Sequence, residues 1–176
     1  MSSRNSRSYG SHFSFMSWVL IIAFISFVGW GIARTVKAVQ FRFNCEQYIK
    51  RAADASSIEI AKGELEKVLS YCEDNGLTEG VVSIFFKQPK NDIGFWYQNL
   101  KMAYEELENL PEDTTTLEKT NLLMKVRETL VDTDSNGTKI TLPDGISIYP
   151  YNLFYFFWTT ISLIVFIFSG VYLDKR

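Results

Sequence analysis

Two stretches of this chain carry no charged residue: Phe13 to Ala33, and Leu153 to Leu173. Each is about 20 residues long, the length at which a helix crosses ~30 Å of hydrocarbon. A helix that covers a water-soluble core keeps a charged face toward solvent. Neither stretch has one. In the second, Leu, Ile, Val and Phe predominate. Each favours insertion by roughly 0.3–0.6 kcal/mol, enough together to outweigh the scattered Thr, Ser and Gly. The pattern predicts two membrane-spanning helices.

The flanks agree with that prediction. Tyr149, Tyr151, Tyr155 and Trp158 crowd the start of the second stretch, and Tyr172 closes it. Trp18 and Trp30 lie near the ends of the first. Tyr and Trp favour the membrane–water boundary because the ring is apolar at one end and polar at the other. Parts of the first stretch also suit two other origins. Arg4, Arg7 and the small residues Gly31 to Ala33 suit a cleaved secretion signal, but the apolar run exceeds the usual ~7–15 residues. The Ser- and Arg-bearing, acid-free start also suits an organelle-targeting segment.

The expected architecture is mainly α: two transmembrane helices flanking a soluble helical bundle with a minor β element, a short strand plus a hairpin. Residues 1–12 form an N-terminal tail, 13–33 the first transmembrane helix, 34–152 the soluble domain, 153–173 the second transmembrane helix, and 174–176 a stub. An even number of spans puts both termini on one side. The termini carry Arg4, Arg7, Lys175 and Arg176, whereas no Lys or Arg lies between Lys139 and the second span. Basic residues prefer the cytoplasm, so cytoplasmic termini and an extracytoplasmic domain are favoured, in an inner or plasma membrane. Arg34, Lys37 and Arg42 after the first span oppose this, although long loops translocate with less regard to charge.

Within the domain, Phe41, Cys45, Tyr48 and Ala52 recur at helical spacing. No Gly or Pro separates them from the first span, so the helix is free to run on. Ser56 to Glu59 reads as a capping box opening a second helix, with Ile58, Ala61, Leu65 and Cys72 on its apolar stripe and Asn75-Gly76 as its stop. Val81 to Phe86 is rich in β-formers and reads as a strand or extended crossover. Asp92 caps a third helix that ends before Pro111. Thr115 to Glu118 is a second capping box, opening a fourth helix that runs to about Val131. The alternation around Asp144-Gly145 signals a hairpin, and Asn136-Gly137 is a second preferred hairpin turn. Four amphipathic helices of this length can bury one shared core.

Catalytic chemistry finds little support. The sole histidine is His12, in the N-terminal tail, and a Ser or Cys nucleophile normally needs a neighbouring base. Two cysteines with no nearby histidine cannot close a zinc site. Cys45 and Cys72 form a candidate disulfide or, on their apolar stripes, a pair of buried thiols. Trp96 and Tyr97 read first as core aromatics, with a candidate binding surface as the alternative. Asp132, Asp134 and Asn136 followed by Gly137 match the first half of a calcium loop. The final bidentate acid is missing, since Pro143 occupies its position, so calcium is a weak cofactor candidate and no other cofactor is expected. Asn136-Gly137-Thr138 also fits a glycosylation acceptor.

The spans offer candidate packing residues: Gly29 and Ala33 as a small-residue pair in the first, and Thr159, Thr160 and Ser162 in the second. Such residues let helices approach closely or hydrogen-bond one another in lipid. No ionisable side chain lies within either span, which disfavours a proton relay. The segment between the spans is net acidic, which disfavours nucleic acid as a partner.

In layout alone (span, helical bundle, span), the chain resembles the sensing half of bacterial chemoreceptors and sensor kinases. No motif carries that resemblance, and no signalling module follows the second span. The expected function is a non-enzymatic, membrane-anchored binding or accessory subunit. Its partners would be the bilayer, plus a second membrane protein or another copy of itself. The alternatives are a structural subunit of a larger membrane complex, and an oligomeric pore-forming or effector protein.

Overall fold

A computed structural model describes residues 5–134 and 137–175. The chain is mainly helical with one small two-stranded antiparallel sheet, and it divides into two compact units. One comprises the two ends, up to Val36 and from Leu153 onward; the other runs from Lys37 to Asn152.

In the first unit, helix α1 (Asn5–Phe41) contributes its portion up to Val36, and α6 (Asn152–Asp174) its portion from Leu153. Both helices are long and apolar enough to cross a membrane. They pair antiparallel: Trp30 meets Tyr155, Ser26 meets Ser162, the Phe24 ring lies tilted beside that of Phe166, and Leu20 lies against Gly170. Their outer faces expose large apolar side chains, among them Ile22, Ile25, Ile164 and Phe168.

The second unit is built on α2 (Gln47–Ala53), α3 (Ile58–Asp74), α4 (Ile93–Glu108) and α5 (Thr116–Leu130). Helix α2 packs on α3 and α5, and α4 packs on the same two, which closes the bundle around one core. Ile49, Leu65, Val68, Ile93, Val126 and Leu130 are among its fully buried side chains. A π turn, Arg42–Glu46, joins α1 to α2 without a break. It has a structural use. Core residues Phe41, Cys45 and Ile49 are spaced by four, and an α-helix overshoots a full turn by about 40° at that spacing. A wider turn takes up the overshoot and keeps all three buried.

The helix ends follow from local chemistry. The Thr115 hydroxyl accepts the Glu118 N–H while the Glu118 carboxylate accepts the Thr115 N–H, a complete capping box. Asp92 Oδ1 accepts the Phe95 N–H at 2.9 Å. Gly76, at φ 67°, follows α3 in the left-handed conformation that an L side chain resists. At the start of α3 the expectation needs correcting: Ser57, not Ser56, is the cap, its Oγ accepting the Ile60 N–H.

Both β expectations also change. Of the stretch Val81 to Phe86, only Val81 forms a bridge, to Asp92, and only Val82 is buried. Ile84, Phe85 and Phe86 stand exposed in a loop. β-Formers make a strand only where a neighbouring strand supplies the ladder. The hairpin expected around Asp144-Gly145 is not there; the one that forms lies at the second expected turn, Asn136-Gly137. Strands β1 (Val131–Asp134) and β2 (Gly137–Ile140) pair in register, Val131 opposite Ile140 and Asp134 opposite Gly137. Pro143, which has no N–H to donate, follows shortly after β2. Gly145 (φ 86°) then opens a single 3₁₀ turn, Ile146–Ile148, that buries Ile146 and Ile148.

Candidate functional site

In lipid, side chains that hydrogen-bond across helices satisfy one another because no water can. The α1–α6 pair holds such a cluster. Ser26 Oγ accepts the Trp158 indole N–H at 2.9 Å and lies 3.0 Å from Ser162 Oγ. One turn along, the Trp30 indole N–H donates to the Tyr155 carbonyl at 3.1 Å. Tyr155, Ser162 and Ser169 are the buried residues of α6, spaced by seven, as a left-handed helix pair requires. On α1 the buried or half-buried positions Ala23, Ser26 and Trp30 face this seam.

The expected packing residues divide accordingly. Ser162 is in the seam. Thr160 instead donates to the Phe156 carbonyl of its own helix at 2.8 Å, and Thr159 is half-buried. Gly29 is not a point of close approach, because a Cβ placed there meets no atom within 4 Å. Ala33 is half-buried. The small-residue pair is therefore corrected to a polar seam. Its signal was present in the sequence, as Ser26 and Ser162 inside otherwise apolar runs, but pairing them needs the register of two distant segments.

In the second unit, Trp96 and Tyr97 are each 6% exposed and belong to the core. That is the core placement, and the alternative of a binding surface falls away. Both polar atoms are satisfied: the Trp96 indole N–H donates to the Thr141 carbonyl at 2.9 Å, and the Tyr97 hydroxyl to Glu73 Oε1 at 2.7 Å. Burial, reinforced by the bond to Glu73, pushes the Tyr97 phenol up to about 12. Cys45 and Cys72 are fully buried, unbonded and face each other. The hydrogen bond between them, together with burial, raises the Cys45 thiol well above its usual value.

Asp132 lies in β1 opposite Lys139; the side chain of Asp134 and all of Asn136 lie outside the described residues. Among the described residues no group of three His, Cys, Asp or Glu is placed to hold a metal ion.

Glu64 was not anticipated. It sits on the buried side of α3, 5% exposed, where Oε1 receives Arg51 at 2.8 Å and Lys67 at 3.1 Å. Both cations also lie over the Tyr48 ring, at 5.8 and 5.3 Å from its centroid. Only the Glu64–Lys67 spacing was visible locally; Arg51 comes from another helix.

A groove of about 830 Å³ lies along α2, with its far wall formed by the end of α5 and the hairpin. Cations line it: Arg42, Lys50, Arg51, Arg127 and Lys139, against Glu46 and Asp54. Arg51 is engaged by Glu64, and Arg127 lies 3.7 Å from Asp54. Arg42 and Lys50 form no ion pair among the described residues.

Comparison with protein-family models, with curated proteins and with solved structures finds no match to this chain.

Proposed function

We propose that this chain is a non-enzymatic, membrane-anchored binding or accessory subunit, in which α1 and α6 form the anchor and the Lys37–Asn152 unit contacts a protein or a small ligand. One observation carries this reading. The apolar helices pair with each other through a satisfied polar seam, while the charged segment folds around a core of its own. An anchor and a presented domain need that division of labour. Cytoplasmic termini and an extracytoplasmic domain remain the favoured topology, on the charge bias at the ends.

The test is cross-linking of the full chain in its native membranes, followed by identification of what is recovered. A reproducible partner, protein or lipid, attached through the domain supports the reading. Recovery of the chain in the aqueous fraction as a compact monomer, without detergent, would falsify it. The exposed apolar faces of α1 and α6 favour a second reading, a structural subunit packed among other membrane helices. That reading expects co-purification at fixed stoichiometry after gentle solubilisation.

A further inference from the structure

We infer that the groove between α2 and the β1–β2 hairpin is a binding site for a phosphate-bearing anion. The domain as a whole is acidic, yet this concavity concentrates five cations against two acids. A concave, one-signed surface focuses its field and raises the local concentration of oppositely charged ligands. The helix supplies the geometry. Arg42, Glu46, Lys50 and Asp54 recur at intervals of four, which places them along one edge of the groove. Arg127 and Lys139 reach in from the opposite wall. Guanidinium groups suit the paired oxygens of a phosphoryl group, and ammonium groups add charge without constraining direction.

The acids do not cancel this field. Asp54 is directed at Arg127, and Arg51 is held by Glu64 from outside the groove. Arg42 and Lys50 are exposed and lie in no ion pair among the described residues, although Glu46 shares their edge of the groove. Val131 and Ile140, opposite each other in the hairpin, give the floor an apolar patch. The volume suits a ligand larger than free phosphate, since small-molecule sites span roughly 300–1,000 Å³. A soluble phosphate ester and a phospholipid headgroup share this chemistry.

This inference rests on the reading of the domain as the binding part of the protein, but it can fail alone. Full-length protein in phosphatidylcholine nanodiscs is titrated with inorganic pyrophosphate by calorimetry. The expected result is saturable binding that weakens about tenfold or more in the double variant Arg42→Gln/Lys50→Gln, with Lys101→Gln, outside the groove, unchanged. Both replaced side chains are exposed, so the fold should be retained, which circular dichroism of the variant checks. Repeating the titration in nanodiscs containing phosphatidic acid separates the sources. Competition that disappears in the double variant identifies a lipid headgroup, and absence of competition identifies a soluble ligand. No saturable heat in the neutral discs, or binding that the double variant leaves unchanged, overturns the site. A cross-linked partner recovered alongside that failure would leave the proposed function standing.

Discussion

Replacing Ser26 by Ala removes the hydroxyl oxygen that accepts the Trp158 indole N–H and contacts Ser162. The two contacts, at 2.9 and 3.0 Å, are of ordinary hydrogen-bond length. In a bilayer such a bond contributes about 0.6 kcal/mol on average and at most about 1.7. Losing both, and leaving the indole N–H without its acceptor, should weaken helix pairing by about 1–2 kcal/mol, about five- to thirtyfold in the pairing equilibrium. Ser162→Ala loses one bond and should cost about 0.6 kcal/mol. The measurement is reversible unfolding of the full chain in mixed micelles, followed by energy transfer between probes on the two helices. The double variant should cost less than the sum of the singles, because the Ser26–Ser162 contact is lost only once. If all three variants pair as the parent does, within about 0.3 kcal/mol, the polar seam does not hold the helices together and apolar packing does.

Three further outcomes follow from the domain. Tyr97 has its phenol raised from 10.0 to about 12, so the folded state favours the protonated form. Stability from this group is complete below about 10 and is lost as pH rises through about 12; Tyr97→Phe should flatten denaturant stability across that window. Thr115→Ala breaks the capping box of α5 and should lower the domain's stability by about 0.5–2 kcal/mol in denaturant titration. Cys45 and Cys72 should resist a thiol-specific reagent in the folded chain and react fully once denaturant is added; rapid native reaction would refute their burial.

How legible this molecule is depends on the range over which each signal acts. Thr115, Asp92 and Gly76 act within four residues, and the helix ends they mark could be read directly from the chain. The two apolar helices were equally plain, because length and the absence of charge are local properties. Strand pairing was not. Val81 to Phe86 has the composition of a strand but pairs only at Val81, to Asp92, whereas β2, marked in the chain only by the turn at Asn136-Gly137, finds a full partner in β1. The candidate sites show the same division. Trp96 and Tyr97 belong to the core because Thr141 and Glu73, distant in the chain, accept their polar atoms. The groove escaped notice because its cations come from α2, α5 and the hairpin, and only the folded bundle gathers them.

The wide turn at Arg42–Glu46 works as an angular setting in the helical rod. Each residue of an ordinary helix advances the next by about 100°. Inserting a single residue just beyond it, into the regular turns of α2, would swing everything that follows by roughly a quarter turn. Ile49 would leave the core, and Lys50 would no longer share an edge with Arg42. Those five residues thus set which side chains between Phe41 and Ile49 face the core, and a change of length just beyond them should be far more damaging than any single replacement.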